Sequence, residues 1–393
     1  MKHQTQVSLI KQLISLHDAE RHQDMADEVI RLDSKIYTSD EVLQDELQTV
    51  FKDYPILAGH SNQVREPGSY ILSDWDKFPY VIVRGNDGEL KAFINACRHR
   101  GARLVDGTSK SLKAFVCPYH GWSYTLDGKL KAMTRPYNFP DIDKNDCNLR
   151  ELPVQEQHGL VWIHPKKDRK LDLVKYLGDI ADDLQHFNLN NLVTFTKSTT
   201  VKKANWKLLL KTYLEGYHVP YLHRHTLQSA FKNGVIAHYE HGPNIRLAAA
   251  RTNFKDVLKV PQEKWNILEY ASVYYSLFPN SFFIMHPDYT SINSFYPLAP
   301  NRTIWTHEML YHPDLFVGPK GQEALQKRFE FTNDMVFDNE DFEVAEGIQS
   351  GIQFESDEHL LGLEEGLVGV FQKSVDDAIA GKKRNIIASS PRE

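Results

Sequence analysis

Two stretches of this 393-residue chain set cysteine close to histidine, as metal sites do: Cys97-Arg98-His99-Arg100-Gly101 and Cys117-Pro118-Tyr119-His120-Gly121-Trp122. Each follows a strand-like run, so two tight loops facing each other would bring four ligands to one point. Thiolate and imidazole together hold zinc or an iron–sulfur cluster. Structural zinc pairs usually set their ligands two to four residues apart, whereas Cys97 and His99 are separated by one. Gly101 and Gly121 suit tight loops whose backbone amides come close to bridging sulfides. The cluster is the favoured reading and zinc the alternative. Cys147, the third and last cysteine, lies outside the pattern and reads as an ordinary thiol.

A second constellation follows. A helical pattern opens at Asn205-Trp206-Lys207 and runs to Leu222-His223, carrying Glu215, His218 and His223. The histidines are five apart, off the spacing of one straight helix face. Gly216 and Pro220 allow a bend, because Pro220 disrupts a helix between the two rings. A late helix is rich in acids, among them Asp334, Asp338, Glu340, Asp341 and Glu343.

The two Cys/His pairs, the Asn-Trp-Lys opening and the acid-x-x-His-x-x-x-x-His helix resemble the Rieske non-haem iron aromatic ring-hydroxylating oxygenases, in their α (catalytic) subunit. The resemblance extends over roughly residues 45 to 365. It implies a [2Fe-2S] cluster with Cys97 and Cys117 on one iron and His99 and His120 on the other. It implies a mononuclear Fe(2+) held by His218, His223 and a carboxylate from the late helix, a two-histidine, one-carboxylate set with open positions. The family pattern selects Asp341 from Glu340-Asp341-Phe342-Glu343-Val344-Ala345-Glu346-Gly347-Ile348-Gln349-Ser350-Gly351, with Asp338 as runner-up and the other nearby acids solvated. Glu215 stands where the family usually has Asp. By position, the resemblance implies that it is an electron-transfer bridge between His218 and His120 of a neighbouring subunit, the alternative being a buried acid that caps local backbone. Thr212 lies near a position where many relatives carry Asn.

The resemblance further implies an enzyme, a mono- or dioxygenase taking O2 and a small organic substrate. A homotrimer or a multiple of it, with or without a small β subunit, would place each cluster beside a neighbour's iron in a ring closed by symmetry. The chain lacks a Gly-x-Gly-x-x-Gly dinucleotide fingerprint, so electrons would come from an NAD(P)H-dependent flavin reductase, directly or through a ferredoxin. Tyr217, Tyr221, Phe231, Tyr270, Tyr274, Tyr275, Phe278, Phe282, Phe283 and Phe295 are candidates to line the cavity. An aromatic substrate is favoured. Oxidation or demethylation of a quaternary ammonium or other small amine is the alternative, since aromatic rings also cage such cations and Glu215 resembles some amine oxidisers. A Rieske electron carrier without oxygenase activity is the rival of another class.

These residues need two scaffolds, and a chain this long suits two domains. Short strands with tight turns, such as those flanking Gly85-Asn86-Asp87-Gly88 and Leu126-Asp127-Gly128-Lys129, predict a small β domain. The expected fold is α+β: a small antiparallel Rieske [2Fe-2S] domain over 45–165 and, by resemblance, a helix-grip catalytic domain of the START and Bet v1 type over 166–393. A helical segment, 1–44, precedes them, with Ser39 as a helix N-cap, and the polar tail from Lys382 is expected to be loose. Hydrophobic residues are 41%, charged residues 25%, and the net charge is −6. That composition is ordinary for a globular protein and lacks the basic surface of a nucleic-acid binder. Three cysteines, no signal-like segment and no long apolar run predict a cytoplasmic protein without a membrane span.

Overall fold

Strands Tyr80–Arg84 and Leu90–Ile94 pair antiparallel across the Asp87-Gly88 turn, from Tyr80 with Ile94 to Arg84 with Leu90. The second expected hairpin pairs Ser123–Tyr124 with Leu130–Ala132. The computed structural model describes residues 1–20, 26–107, 111–354 and 357–382. The tail beyond Lys382 lies outside them. The chain divides into two compact units: Phe51–Asp172 with Leu189–Asn191, and Met1–Val50 with Leu173–Asn188 and the residues from Leu192 onward.

Among the described residues, the smaller unit forms three short antiparallel sheets. Val81, Val83, Phe93, Phe115, Trp122 and Tyr124 form its core, and the thiols of Cys97 and Cys117 are buried in the same cluster.

The larger unit is built on a seven-stranded antiparallel sheet. Its strands are β1 (Val193–Lys202), β2 (Phe231–His241), β3 (Asn244–Arg251), β4 (Ala271–Leu277), β5 (Ser281–Met285), β6 (Tyr289–Ala299) and β7 (Arg302–Tyr311). They lie in the order β1-β7-β6-β5-β4-β3-β2. A long helical run from Gly318 to Phe354 packs on it, with Phe337 and Phe342 edge-on to Trp305 of β7 at 6.2 and 4.7 Å. This is the expected α+β arrangement, a helix gripped by an antiparallel sheet. The middle of the run, Phe331–Phe342, winds as a π-helix, the wider turn that often marks functional sites.

The N-terminal residues differ from expectation. Residues 1–50 belong to the larger unit instead of standing as a helical segment of their own, and they include a strand. The His3–Asp18 helix buries Val7, Leu9, Ile10, Leu13 and Leu16. Ile30–Asp33 pairs with Glu358–Leu361. The apolar face of a helix and the open edge of a strand both need cover, which the rest of the unit supplies. Ser39 does cap Asp40–Gln48, accepting from Val42 N–H at 3.3 Å.

The Asn-Trp-Lys opening has a physical role at each residue. Asn205 caps the Trp206–Lys211 helix by accepting from Lys207 N–H (3.0 Å), and its Nδ2 donates to Pro300 O (2.8 Å). Trp206 Nε1 donates to Glu46 Oε2 at 2.7 Å, and Lys207 Nζ pairs with the other Glu46 oxygen, wholly buried. Lys211 donates to Tyr37 Oη and Gln372 Oε1, both at 2.7 Å. Burial, then the nearby Lys207 charge, pulls its pKa well below the usual lysine value. Removing one partner of a buried ion pair strands the other charge. Glu46→Ala should therefore cost about 3–5 kcal/mol, read as a lower denaturation midpoint. An unchanged midpoint would show that Lys207 finds another counter-charge.

Candidate metal centres

The two Cys/His loops share one hydrogen-bond pattern. Cys97 N–H donates to Ala102 O (2.8 Å) and Gly101 N–H to Cys97 O (2.8 Å); Cys117 N–H donates to Trp122 O (2.8 Å) and Gly121 N–H to Cys117 O (3.0 Å). Gly101 and Gly121 have φ of +76° and +68°, a conformation open to glycine without strain. Each loop therefore closes four residues after its cysteine, although the histidine falls second in one and third in the other.

The loops bring their four candidate ligands into one region. His99 and His120 set their Nδ1 atoms 3.2 Å apart. Trp122 stacks on His99 at 5.0 Å and 12°, and Phe139 meets it edge-on. Burial, then the charges of His120 and Arg100, holds His99 below its ordinary pKa, favouring the neutral ring a metal needs. Cys97 and Cys117 are buried free thiols. Tyr124 Oη accepts from Arg98 N–H at 3.1 Å and lies 3.3 Å from Cys97 Sγ, so its own proton is free to point at the sulfur.

In the larger unit the helix that starts at Trp206 does not run through to Leu222. It tightens over Thr212–Leu214, breaks at Glu215, which is fully extended (φ −143°, ψ 163°), and restarts as Val219–Leu222. The break falls before Pro220, which sits in the first turn of the new helix, where its missing N–H costs nothing. Glu215 makes the break: its carboxylate accepts from the N–H of Tyr217 and of His218 (3.2 Å) and also holds His218 Nδ1.

Each histidine is thus gripped on one nitrogen. Glu215 holds His218 Nδ1, and Glu340 Oε2 holds His223 Nδ1 at 2.7 Å while accepting from Thr226 Oγ1 at 2.7 Å. The free Nε2 atoms face Asp341 Oδ1 at 3.5 Å from His218 and 3.2 Å from His223. That oxygen is buried and makes no properly directed hydrogen bond. The three ligand atoms lie within 4.8 Å of one another. Burial opposes protonation of both rings. Glu215 and Asp341 outweigh it at His218, as Asp341 and Glu340 do at His223, so both pKa values are raised.

A family model described as "Rieske [2Fe-2S] domain" matches residues 55–145, and one described as "Ring hydroxylating alpha subunit (catalytic domain)" matches residues 189–381. The chain belongs to the Rieske oxygenase α-subunit family. Choline monooxygenase of Beta vulgaris is 34% identical over 48% of this chain and 43% of its own length. The chlorobenzene dioxygenase α subunit of Cupriavidus sp. (strain PS12) is 32% identical over 48% and 43%, and the carnitine monooxygenase oxygenase subunit of Acinetobacter pittii 32% over 46% and 49%. The matched stretches thus span under half the length of these relatives. Among solved structures, a quaternary ammonium Rieske monooxygenase with L-carnitine aligns at a TM-score of 0.76 and 23% identity, covering 90% of this chain and 96% of the other. Naphthalene 1,2-dioxygenase with indole aligns at 0.75 and 18%, covering 89% and 92%. These likenesses concern the fold.

Membership in the Rieske oxygenase family implies a [2Fe-2S] cluster and a mononuclear Fe(2+), and the residues present fit both. For the iron, the fit rests on the unsatisfied Asp341 oxygen facing two free imidazole nitrogens. Histidines that ligate metals usually donate their second nitrogen to a carboxylate or carbonyl, and both rings here do. Asp338, the runner-up, turns elsewhere and pairs with Lys202. The i→i+5 winding helps separate it from Asp341 around the helix axis. The expectation that the neighbouring acids are all solvated fails at Glu340, which orients His223. Its only sequence signal is its place next to Asp341, and adjacent helical residues point apart.

A cavity of about 150 Å³ opens beside the three candidate ligands, which help line it with Glu215. Of the aromatic residues proposed for its walls, only Phe231 and Tyr274 contribute. Tyr217 and Tyr221 are exposed, and Tyr270, Tyr275, Phe278, Phe282, Phe283 and Phe295 are buried outside the lining. Tyr213, Leu247, Ile284, His286, Tyr289, Val336 and Phe337 line it instead. Thr212 also lines it, its hydroxyl bonded to Leu209 O at 2.8 Å. No helix among the described residues is long and apolar enough to cross a membrane.

Glu340→Ala should weaken Fe(2+) affinity about 10–100-fold and leave the visible cluster spectrum unchanged. Competition with a chelator measures this, and unaltered affinity would remove Glu340 from the site.

Proposed function

We propose that this chain is the oxygenase component of a Rieske system, hydroxylating an organic substrate with O2 and electrons from a separate NAD(P)H-dependent flavin reductase, directly or through a ferredoxin. The observation that carries the reading is the triangle of His218, His223 and Asp341 opening onto an apolar cavity. His218, His223 and Asp341 would hold the iron, and Cys97, His99, Cys117 and His120 the cluster. Bound there, the metals supply one-electron transfer and oxygen activation. The chain's own residues do the rest: Glu215 and Glu340 fix the two imidazoles, and the cavity walls orient the substrate and keep out water.

An aromatic ring is the substrate we favour. An apolar cavity of about 150 Å³ is of the size that takes up benzene, and Leu247, Ile284, Val336 and Phe337 wall this one. Quaternary ammonium oxidation is the second reading, supported by the relatives named for choline and carnitine and by the rings of Tyr213, Tyr274 and Tyr289 at the cavity. Aromatic catabolism in the cytoplasm is the setting that fits the first reading. Turnover of benzene-type compounds and of trimethylammonium compounds with a matched reductase separates the two, product mass and label from 18O2 being the readout.

The working form we propose is a homotrimer or a multiple of it, with or without a β subunit. In it Glu215 connects His218 to His120 of the partner subunit. Glu215 is already bound to His218 Nδ1 within its own chain, which supplies one half of that bridge. Glu215→Gln should retain both metals yet slow electron transfer between them by an order of magnitude or more, seen as slower cluster oxidation in a single turnover. An unaltered rate would remove the bridge. His218→Ala should abolish oxygenated product while the cluster spectrum persists; continued product formation would refute the metal assignment.

A further inference from the structure

Strand β7 lays three side chains against the long helical run. Trp305, His307 and Met309 alternate along the strand and so share one face. Trp305 meets Phe342 edge-on, and Met309 shares a core cluster with Leu325. Between them His307, wholly buried, meets the run over three successive turns. Phe329 stacks on its ring at 5.1 Å and 11°, Phe337 meets it edge-on at 5.3 Å, and Asn333 Oδ1 lies 3.0 Å from its Nδ1. Phe329, Asn333 and Phe337 follow one another at intervals of four residues. The next in that series is Asp341, the carboxylate proposed as an iron ligand.

The His307 contact is polar where its surroundings are aromatic. Burial holds its pKa down at about 4, so the ring is neutral and carries one N–H. Asn333 Nδ2 donates to Asp334 Oδ1 at 2.6 Å, which turns Asn333 Oδ1 toward the ring. His307 Nδ1–H therefore donates to Asn333, and Nε2 accepts from the Ser291 hydroxyl at 3.0 Å. Both ring nitrogens are satisfied. A buried polar pair of this kind adds little net stability over two apolar side chains of the same shape. What it adds is direction: apolar contacts let a helix turn or slide by small steps, whereas a satisfied hydrogen bond specifies one setting. Such a setting is needed here. Phe331–Phe342 keeps its π-winding for twelve residues, whereas π-winding mostly lasts a single turn. Asn333 stands at its start, and beside it Thr332 Oγ1 meets Tyr289 Oη at 3.3 Å.

We propose that His307 is a positioning residue for the iron site. Its bond to Asn333 fixes how the run from Phe331 to Phe342 is wound, and that winding directs Asp341 toward His218 and His223. The inference rests on the reading of those three residues as iron ligands and adds to it a residue outside the cavity lining.

The Fe(2+) affinity of cluster-loaded protein, measured by competition with a chelator, tests this without turnover. Asn333→Leu removes the acceptor at similar volume. Its Fe(2+) dissociation constant should rise about tenfold or more, with the cluster spectrum unchanged. Ser291→Ala removes the other partner of the same ring and should leave the constant at its native value. His307→Asn keeps an amide N–H near the position of Nδ1. It should therefore retain more affinity than His307→Gln, whose amide falls near Nε2, and this pair decides the matter if Asn333→Leu does not fold. Native affinity in Asn333→Leu, an equal loss in Ser291→Ala, or equal constants for the two His307 variants would overturn the proposal, since each is what a purely structural contact would give. Native protein that takes up no Fe(2+) beyond its cluster is a different failure: it overturns the oxygenase reading itself, and this inference with it.

Discussion

A buried carboxylate oxygen with no well-directed hydrogen bond, 3.5 and 3.2 Å from two imidazole nitrogens, is the feature on which the larger unit turns. Asp341 Oδ1 would be costly to bury without positive charge beside it. Glu215 and Glu340 tighten the constraint, because they gather further negative charge behind the same two rings and fix which nitrogen of each ring faces inward. Protons on the histidines can balance part of that charge, as their raised pKa values record. A divalent metal balances it while also using the lone pairs that the geometry presents.

Local irregularity is what makes this convergence possible. A continuous helix through Glu215 would set His218 and His223 off any common face, and the extended residue at 215 resolves that. A uniform α-helix through residues 331–342 would change the angle between Asp338 and Asp341, and the π-winding sends one to Lys202 and the other to the histidines. These departures are held by regular surroundings. Asn205, Trp206 and Lys207 tie the start of the broken helix to Pro300 and to Glu46, so the N-terminal residues help to position the site.

Much of this was legible in the sequence where chemistry depends on residue type and short spacing. The Cys/His loops, the two hairpins, the histidine pair and Asp341 were all visible there, because turn glycines and rare ligand residues carry local signals. The role of Glu340 was hidden, since a run of acids on a helix looks solvated until the helix has a neighbour. The cavity lining was mostly hidden as well. Tyr217 and Tyr221 lie beside His218 in sequence yet point outward, and His286 and Leu247 reach the cavity through strand register, which one sequence does not display. The N-terminal strand was missed because Ile30–Asp33 is short and its partner lies more than three hundred residues away.

Two different metal centres in one chain fix a stoichiometry that metal and acid-labile sulfide analysis of anaerobically purified protein, with the His218→Ala variant alongside, can read. About three iron and two sulfide per chain are expected, with one iron lost and both sulfides kept in the variant. Two iron per chain in both proteins, or zinc in place of iron and sulfide, would contradict it.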